Sequence, residues 1–142
     1  MKLGLIADTH DNVPMIKRAV AFFNKADVDL VLHAGDYVSP FSLKPLIALQ
    51  KMAQGRIESS PYITTYGEKK ILLGHYFETL NALVSSQEYH LIIFGHTHQP
   101  EIRKEAKTLV VNPGECGGWL SEKSTIAVVD LEHLEAKIIE LS

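Results

Sequence analysis

Three short apolar runs in this chain hand over directly to residues of the kind that bind metals. Leu3-Gly4-Leu5-Ile6-Ala7 leads into Asp8-Thr9-His10, Leu30-Val31-Leu32-His33-Ala34 leads into Gly35-Asp36, and Leu91-Ile92-Ile93-Phe94 leads into Gly95-His96-Thr97-His98. Short apolar runs bounded by glycine and polar residues read as buried strands. An extended backbone throws residues i and i+2 to the same side, so Asp8 with His10, and His96 with His98, are each expected to converge on one site. One such pair alone reads equally well as solvated polar surface. Three strand ends of the same kind point to metal-ligand geometry.

The rest of the pattern says what surrounds those ends. Asp11 or Asn12 can cap a helix with Pro14 in its first turn and Val13, Ile16, Val20 and Phe23 on one face, followed by a strand over 29–34, so the chain opens as a βαβ unit with parallel strands. A second amphipathic helix is predicted from Ser42, carrying Leu43, Leu46, Ile47 and Leu49, and the pattern then fades from Gln50 to Ser60. Residues 62–66 and 70–73 flank Gly67-Glu68-Lys69 as a hairpin, a helix is expected over 77–86, and three strands over 108–112, 124–130 and 136–141. A βαβ start followed by a run of strands gives two packed sheets with helices outside, a layered α/β sandwich.

Composition narrows the function classes. A chain of 142 residues is expected to form one domain, 1–142, and 46% hydrophobic with 22% charged residues is ordinary for a soluble protein. A formal net charge of −3 leaves no nucleic-acid footprint, so no specific nucleic-acid binding is expected. No apolar run approaches the ~18 residues of a membrane span, which with a single cysteine, Cys116, predicts a cytoplasmic protein without an internal disulfide. Cys116 is read as a small buried residue, His33 as a satisfied core histidine, and His90 and His133 as surface residues.

Asp8, His10, Asp36, His96 and His98 mix carboxylate oxygen with imidazole nitrogen, a donor set that suits Mn, Fe or Zn and is too rich in nitrogen for calcium. Five candidates exceed the needs of one tetrahedral ion, and Asp36, alone on its strand end, is placed to bridge two. Two-metal sites lower the pKa of a bridging water and stabilise the charge that builds up during in-line attack on phosphorus, so phosphoester hydrolysis is the reaction class inferred.

The blocks Asp8-x-His10, Gly35-Asp36 and Gly95-His96-x-His98 resemble the signature of calcineurin-like metallophosphoesterases. The longer strings Asp8-Thr9-His10-Asp11-Asn12, Gly35-Asp36-Tyr37-Val38-Ser39-Pro40-Phe41 and Asn112-Pro113-Gly114-Glu115 resemble its small prokaryotic phosphodiesterase branch. The resemblance implies a four-layer αββα sandwich, a metal-bound hydroxide acting on a phosphodiester at a dinuclear site, and two divalent ions, Mn2+ first with Zn2+, Fe or Ni2+ as alternatives. It also implies that Asp8, His10 and His98 hold the first ion, that Asp36 bridges, and that His96 serves the second, with Asp36 and His96 as the catalytic residues. A small phosphoester is then the substrate, and the apolar hairpin edge makes a homodimer a natural expectation.

Two parts of the family pattern are missing. A Gly-Asn-x-Asp block, whose asparagine binds the second metal, would belong near Gln50, and a His-Gly-His block is reduced to Gly74-His75. His75 therefore reads as the second histidine of that block, an active-site loop residue rather than a ligand, and the second site is expected to be empty or incomplete. Either the chain is truly shortened, or the protein carries a tract of roughly twenty residues that this sequence lacks; loss of a buried strand would leave a void costing ~24 cal/mol per Å3, which favours the latter. The alternative function is a catalytically impaired member of the fold acting as a protein-binding scaffold, with Trp119-Leu120 or Tyr76-Phe77 as its contact surface. Glu115 is read either as a carboxylate that orients a ligand histidine or as a loop-stabilising acceptor.

Overall fold

Within the first strand, β1 (Lys2–Ile6), the side chains alternate between two different partners, and that alternation sets the layers. A computed structural model describes residues 1–49 and 58–142. Leu3 and Leu5, continued by Ala7, face inward to a core shared with a second sheet, whereas Ile6 and the bare backbone of Gly4 face outward to helix α1 (Val13–Lys25). A Cβ on Gly4 would stand 2.7 Å from the Phe23 ring, so glycine is what lets the helix lie this close to the strand. Asn12 caps α1 by accepting from the Met15 N–H, Pro14 occupies the first turn, and the buried face is Ile16, Ala19, Val20 and Phe23.

The first sheet adds β2 (Leu30–His33), parallel to β1, then β8 (Ser124–Asp130) and β9 (Glu135–Leu141), in the order β2-β1-β8-β9. The second comprises β3 (Tyr62–Tyr66), β4 (Lys69–Leu73), β5 (Leu91–Ile93), β6 (Glu101–Glu105) and β7 (Thr108–Asn112), in the order β3-β4-β5-β7-β6, with β4, β5 and β7 parallel. Leu3, Leu5, Ala127 and Val129 meet Ile71, Leu91, Ile93, Leu109 and Val111 between the sheets. On the far side, Leu72, Ile92 and Val110 pack against Val84 of helix α2 (Leu80–Ser85). The result is the expected four-layer αββα sandwich, with the ends of β1, β2, β4 and β5 delivering their loops to one edge.

Three local expectations need correction. The segment Pro40–Ala48 is a 3-10 helix rather than an amphipathic α-helix, and Ile47 is exposed. Because the helix begins at Pro40, Pro45 falls in its interior, where it has no N–H to donate and its ring opposes an α-helical carbonyl four residues back. Helix α2 begins at Leu80 rather than Phe77. Strand β6 escaped the sequence pattern because Glu-Ile-Arg-Lys-Glu is a charged edge strand, visible only through its antiparallel ladder with β7. The hairpin forms as expected, but Lys69 belongs to β4 and pairs with Tyr66, so the turn is the two residues Gly67-Glu68 rather than three, with Gly67 at φ +58°. The stretch near Gln50 where a Gly-Asn-x-Asp block would belong lies, over 50–57, outside the described residues. No helix among the described residues is long and apolar enough to cross a membrane.

Candidate metal centre

Every residue expected as a ligand sits at positive φ just beyond its strand: Asp8 (+47°), His10 (+41°), Asp36 (+60°), His96 (+69°) and His98 (+59°). The i, i+2 convergence expected from an extended backbone is thus replaced by left-handed turns, a conformation costing on the order of 1 kcal/mol per non-glycine residue. Such a cluster of strained residues persists only where the surroundings hold it. Here backbone hydrogen bonds do so: Asp8 N–H donates to Gly35 O at 3.0 Å, His10 N–H to Asp36 O at 3.2 Å, and Gly95 N–H to His75 O at 3.0 Å.

The turns bring four expected ligands together. Asp8, His10, Asp36 and His98 each offer a donor atom, all within 4.8 Å of one another. His10 Nε2 lies 3.4 Å from both Asp36 Oδ2 and His98 Nε2, and His98 Nε2 lies 3.6 Å from Asp8 Oδ1. Atoms bound at ~2.0–2.2 Å to one tetrahedral ion stand roughly 3.3–3.6 Å apart, so these are ligand-edge distances. Asp8 is fully buried, and burial pushes its carboxyl pKa up, against the pull of His75 and His98. Among the described residues the ion-pair partners of Asp8 and Asp36 are all imidazoles, with no lysine or arginine to compensate them. A divalent cation fits this donor set.

His96 and His98 separate. His98 joins the first group, whereas His96 turns toward His75, Nδ1 to Nε2 at 3.3 Å. His75 Nε2 also faces Asp8 Oδ1 at 3.8 Å and Asp36 Oδ2 at 4.0 Å. Its other nitrogen, Nδ1, lies 3.0 Å from Ala34 O, and because a carbonyl only accepts, Nδ1 carries the proton and the Nε2 lone pair points into the cluster. His75 thus faces both carboxylates from the active-site loop, beside the group of four donors. Glycines make the approach feasible: a Cβ on Gly95 would stand 2.6 Å from Asp8 Oδ2, and one on Gly35 3.0 Å from His75 Cβ.

The Asn112-Pro113-Gly114-Glu115 loop supports the site from behind. Asn112 Nδ2 donates to Gly95 O and Thr97 Oγ1, both at 3.0 Å, fixing the turn that presents His96 and His98. Cys116 and Gly117 N–H groups donate to Ala7 O and Asp8 O, and Asn12 Nδ2 donates to Gly117 O at 2.6 Å. Fully buried Glu115 accepts from the backbone of Trp119, Leu120 and Ser121 and from Ser121 Oγ, while its Oε2 lies 3.4 Å from His98 Nδ1. Burial pushes its pKa up, but the hydrogen bonds from Ser121, Leu120 and Trp119 outweigh it and hold the carboxyl at about 2. The loop-stabilising reading of Glu115 is the one its hydrogen bonds carry, whereas His98 Nδ1, 3.4 Å away, makes no hydrogen bond among the described residues.

The remaining polar candidates are structural. His33 accepts from the Gly35 N–H at Nδ1 and meets Thr9 Oγ1 with Nε2, and burial, with His75 nearby, lowers its pKa to about 4, so it stays neutral at pH 7. His133 pairs with Asp130 on the surface. His90 is less exposed than expected, because Nδ1 accepts from the Lys70 N–H where β5 meets β4. Cys116 is a buried thiol whose pKa burial pushes up to about 12.

Residues 1–134 match the family model described as the calcineurin-like phosphoesterase superfamily domain. The chain belongs to that superfamily. A phosphodiesterase of Methanocaldococcus jannaschii, MJ0936, is 32% identical to this metallophosphoesterase, with 99% of each chain covered. That alignment runs over 165 positions against the 142 residues of this chain, so the relative carries residues with no counterpart here. A probable metallophosphoesterase of Methanothermobacter thermautotrophicus is also 32% identical, over 98% of this chain and 92% of the relative. Among solved structures, an archaeal phosphodiesterase superposes with a TM-score of 0.90 at 30% identity, covering 99% and 100% of the two chains. Vps29 of Entamoeba histolytica complexed with zinc shares the fold alone, with a TM-score of 0.72 at 17% identity over the whole of both chains.

Proposed function

We propose that this metallophosphoesterase hydrolyses phosphodiesters at a two-ion centre. The observation that carries the reading is the convergence of Asp8, His10, Asp36 and His98 within 4.8 Å, in a chain 32% identical over its length to a phosphodiesterase. Asp8, His10, Asp36 and His98 would hold the first ion. Asp36, facing both His10 and His75, would bridge to a second ion held with His75 and His96. His75 here supplies a donor where the missing histidine of the His-Gly-His block would have stood. When bound, two divalent ions, Mn2+ by preference, supply Lewis acidity: they draw charge from the phosphoryl oxygens and bring a water toward ionisation near neutral pH.

The chain's own residues do the rest. Asp36 and His96 lie on the open side and define where the phosphoryl group docks, while buried Asp8 accepts the His96 N–H at 3.1 Å and so fixes that turn. Glu115, its Oε2 3.4 Å from His98 Nδ1, would orient that ring through its charge. Metal binding alone does not establish turnover, and the test is hydrolysis. With added Mn2+, bis-p-nitrophenyl phosphate should be cleaved by the protein and at least a hundred-fold more slowly by Asp36→Ala, in line with the roughly 10²–10³ lost when one charge-stabilising group is removed from a site. Equal rates would remove the enzyme reading and leave the scaffold.

A further inference from the structure

Trp119 is 64% exposed, yet both its indole N–H and its backbone N–H are hydrogen-bonded. Its indole Nε1 donates to the backbone carbonyl of His10 at 3.2 Å, and its backbone N–H donates to Glu115 Oε1 at 2.8 Å. The preceding Gly117 is tied to Asp8 O and to Asn12, so the loop carrying the indole is stitched to the turn that carries Asp8 and His10. The edge of the ring is thus used for anchoring, while its surface is left to solvent beside the first donor group. On the other flank, Tyr76 is 55% exposed, with its ring centroid 4.8 Å from that of His96. Two exposed aromatic rings are therefore attached to the turns that carry the donors, Trp119 to the backbone of His10 and Tyr76 to the ring of His96.

We propose that Trp119, with Tyr76 opposite, forms a subsite for a planar aromatic arm of the substrate, a nucleobase or an aryl group, so that nucleoside and aryl phosphodiesters are preferred over alkyl ones. The proposal rests on the phosphodiesterase reading and says which diesters that site takes. The donor cluster can hold a phosphoryl group, and among the described residues the ion-pair partners of its carboxylates are imidazoles, which do not distinguish one ester arm from another. An exposed indole offers a flat, polarisable face at a fixed distance from the cluster, and stacking of one base on such a ring is worth roughly ten-fold in affinity. Because the indole is already immobilised by its own N–H bond and by Glu115, little ordering is left to oppose binding.

The chain has one tryptophan, so its fluorescence reports this subsite alone. In the presence of Mn2+, adenosine 5′-monophosphate should change that emission saturably, and glycerol 3-phosphate should leave it unaltered; equal responses to both, or none to either, would overturn the proposal. Kinetics supply the second arm. The p-nitrophenyl esters of thymidine 5′-monophosphate and of phosphocholine share a leaving group and differ in the arm that stays. Trp119→Ala should lower the ratio of kcat/KM for the first over the second roughly ten-fold. Trp119→Phe should restore most of it although it lacks the N–H bonded to His10. An unchanged ratio in Trp119→Ala, or equal loss in both variants, would overturn stacking and leave the indole as a support for His10. Hydrolysis that survives Asp36→Ala unaltered would defeat the phosphodiesterase reading itself, and the fluorescence titration would still decide the subsite.

Discussion

Glu115 is buried without a lysine or arginine beside it, and its five hydrogen bonds from Trp119, Leu120 and Ser121 stand in for one. With its pKa at about 2 it is a carboxylate at any working pH, directed both at the loop that carries Trp119 and at His98 Nδ1. Glu115→Gln keeps the shape but replaces one acceptor oxygen by a donor that must face N–H groups. The expected loss is about 1–3 kcal/mol of stability, read from urea unfolding, since buried donors are left unpaired. Mn2+ affinity, read by calorimetry, should fall roughly 10–100-fold as His98 loses its orientation. At this scale Asp8, His10, Asp36 and His98 were legible in the sequence, because each follows an apolar run without a break. His75 was not: its place depends on Gly35 and Gly95 leaving room for it and on Ala34 O fixing its ring, contacts made by residues distant in sequence. Nor were the left-handed turns legible, since no glycine occupies the ligand positions to announce them.

Between elements, the contact of β1 with α1 helps to position the site, because the turn carrying Asp8 and His10 spans the two. Gly4 sits at that contact with the Phe23 ring directly over it. Gly4→Ala would place a methyl 2.7 Å from ring carbons of a fully buried phenylalanine, so the helix or the ring must shift. Overpacking of this kind costs about 1–3 kcal/mol, to be seen as a lower midpoint in urea with an unchanged slope. Periodicity announced β1, α1, β2, the hairpin and β7 to β9, where one face is apolar and the other is not. It misjudged Pro40–Ala48, where apolar residues at helical spacing are overruled by Pro45, and it missed Glu101–Glu105, whose charges suit an edge strand and carry no apolar period. Pairing with β7 decides the latter, and pairing is not written in the strand itself.

Across the molecule, the four donors arrive from both sheets: Asp8, His10 and Asp36 follow β1 and β2 of one, and His98 follows β5 of the other, with His75 and His96 beside it. Among the described residues no lysine or arginine pairs with the carboxylates at this edge, so an ion bound there would join the two sheets and relieve their charge together. Binding to the folded state alone at a concentration one hundred times Kd stabilises by ~2.7 kcal/mol. For a chain of 142 residues that corresponds to a rise in Tm of roughly 10 °C. Thermal unfolding in Mn2+ and again in EDTA should therefore differ by about this much in the wild type. In Asp36→Ala, where one carboxylate of the donor group is gone but its half-exposed position tolerates truncation, the difference should nearly vanish. Ions held by scattered surface carboxylates would stabilise both proteins alike, so an equal shift in wild type and variant would mean that the junction of the sheets is not where the metal acts.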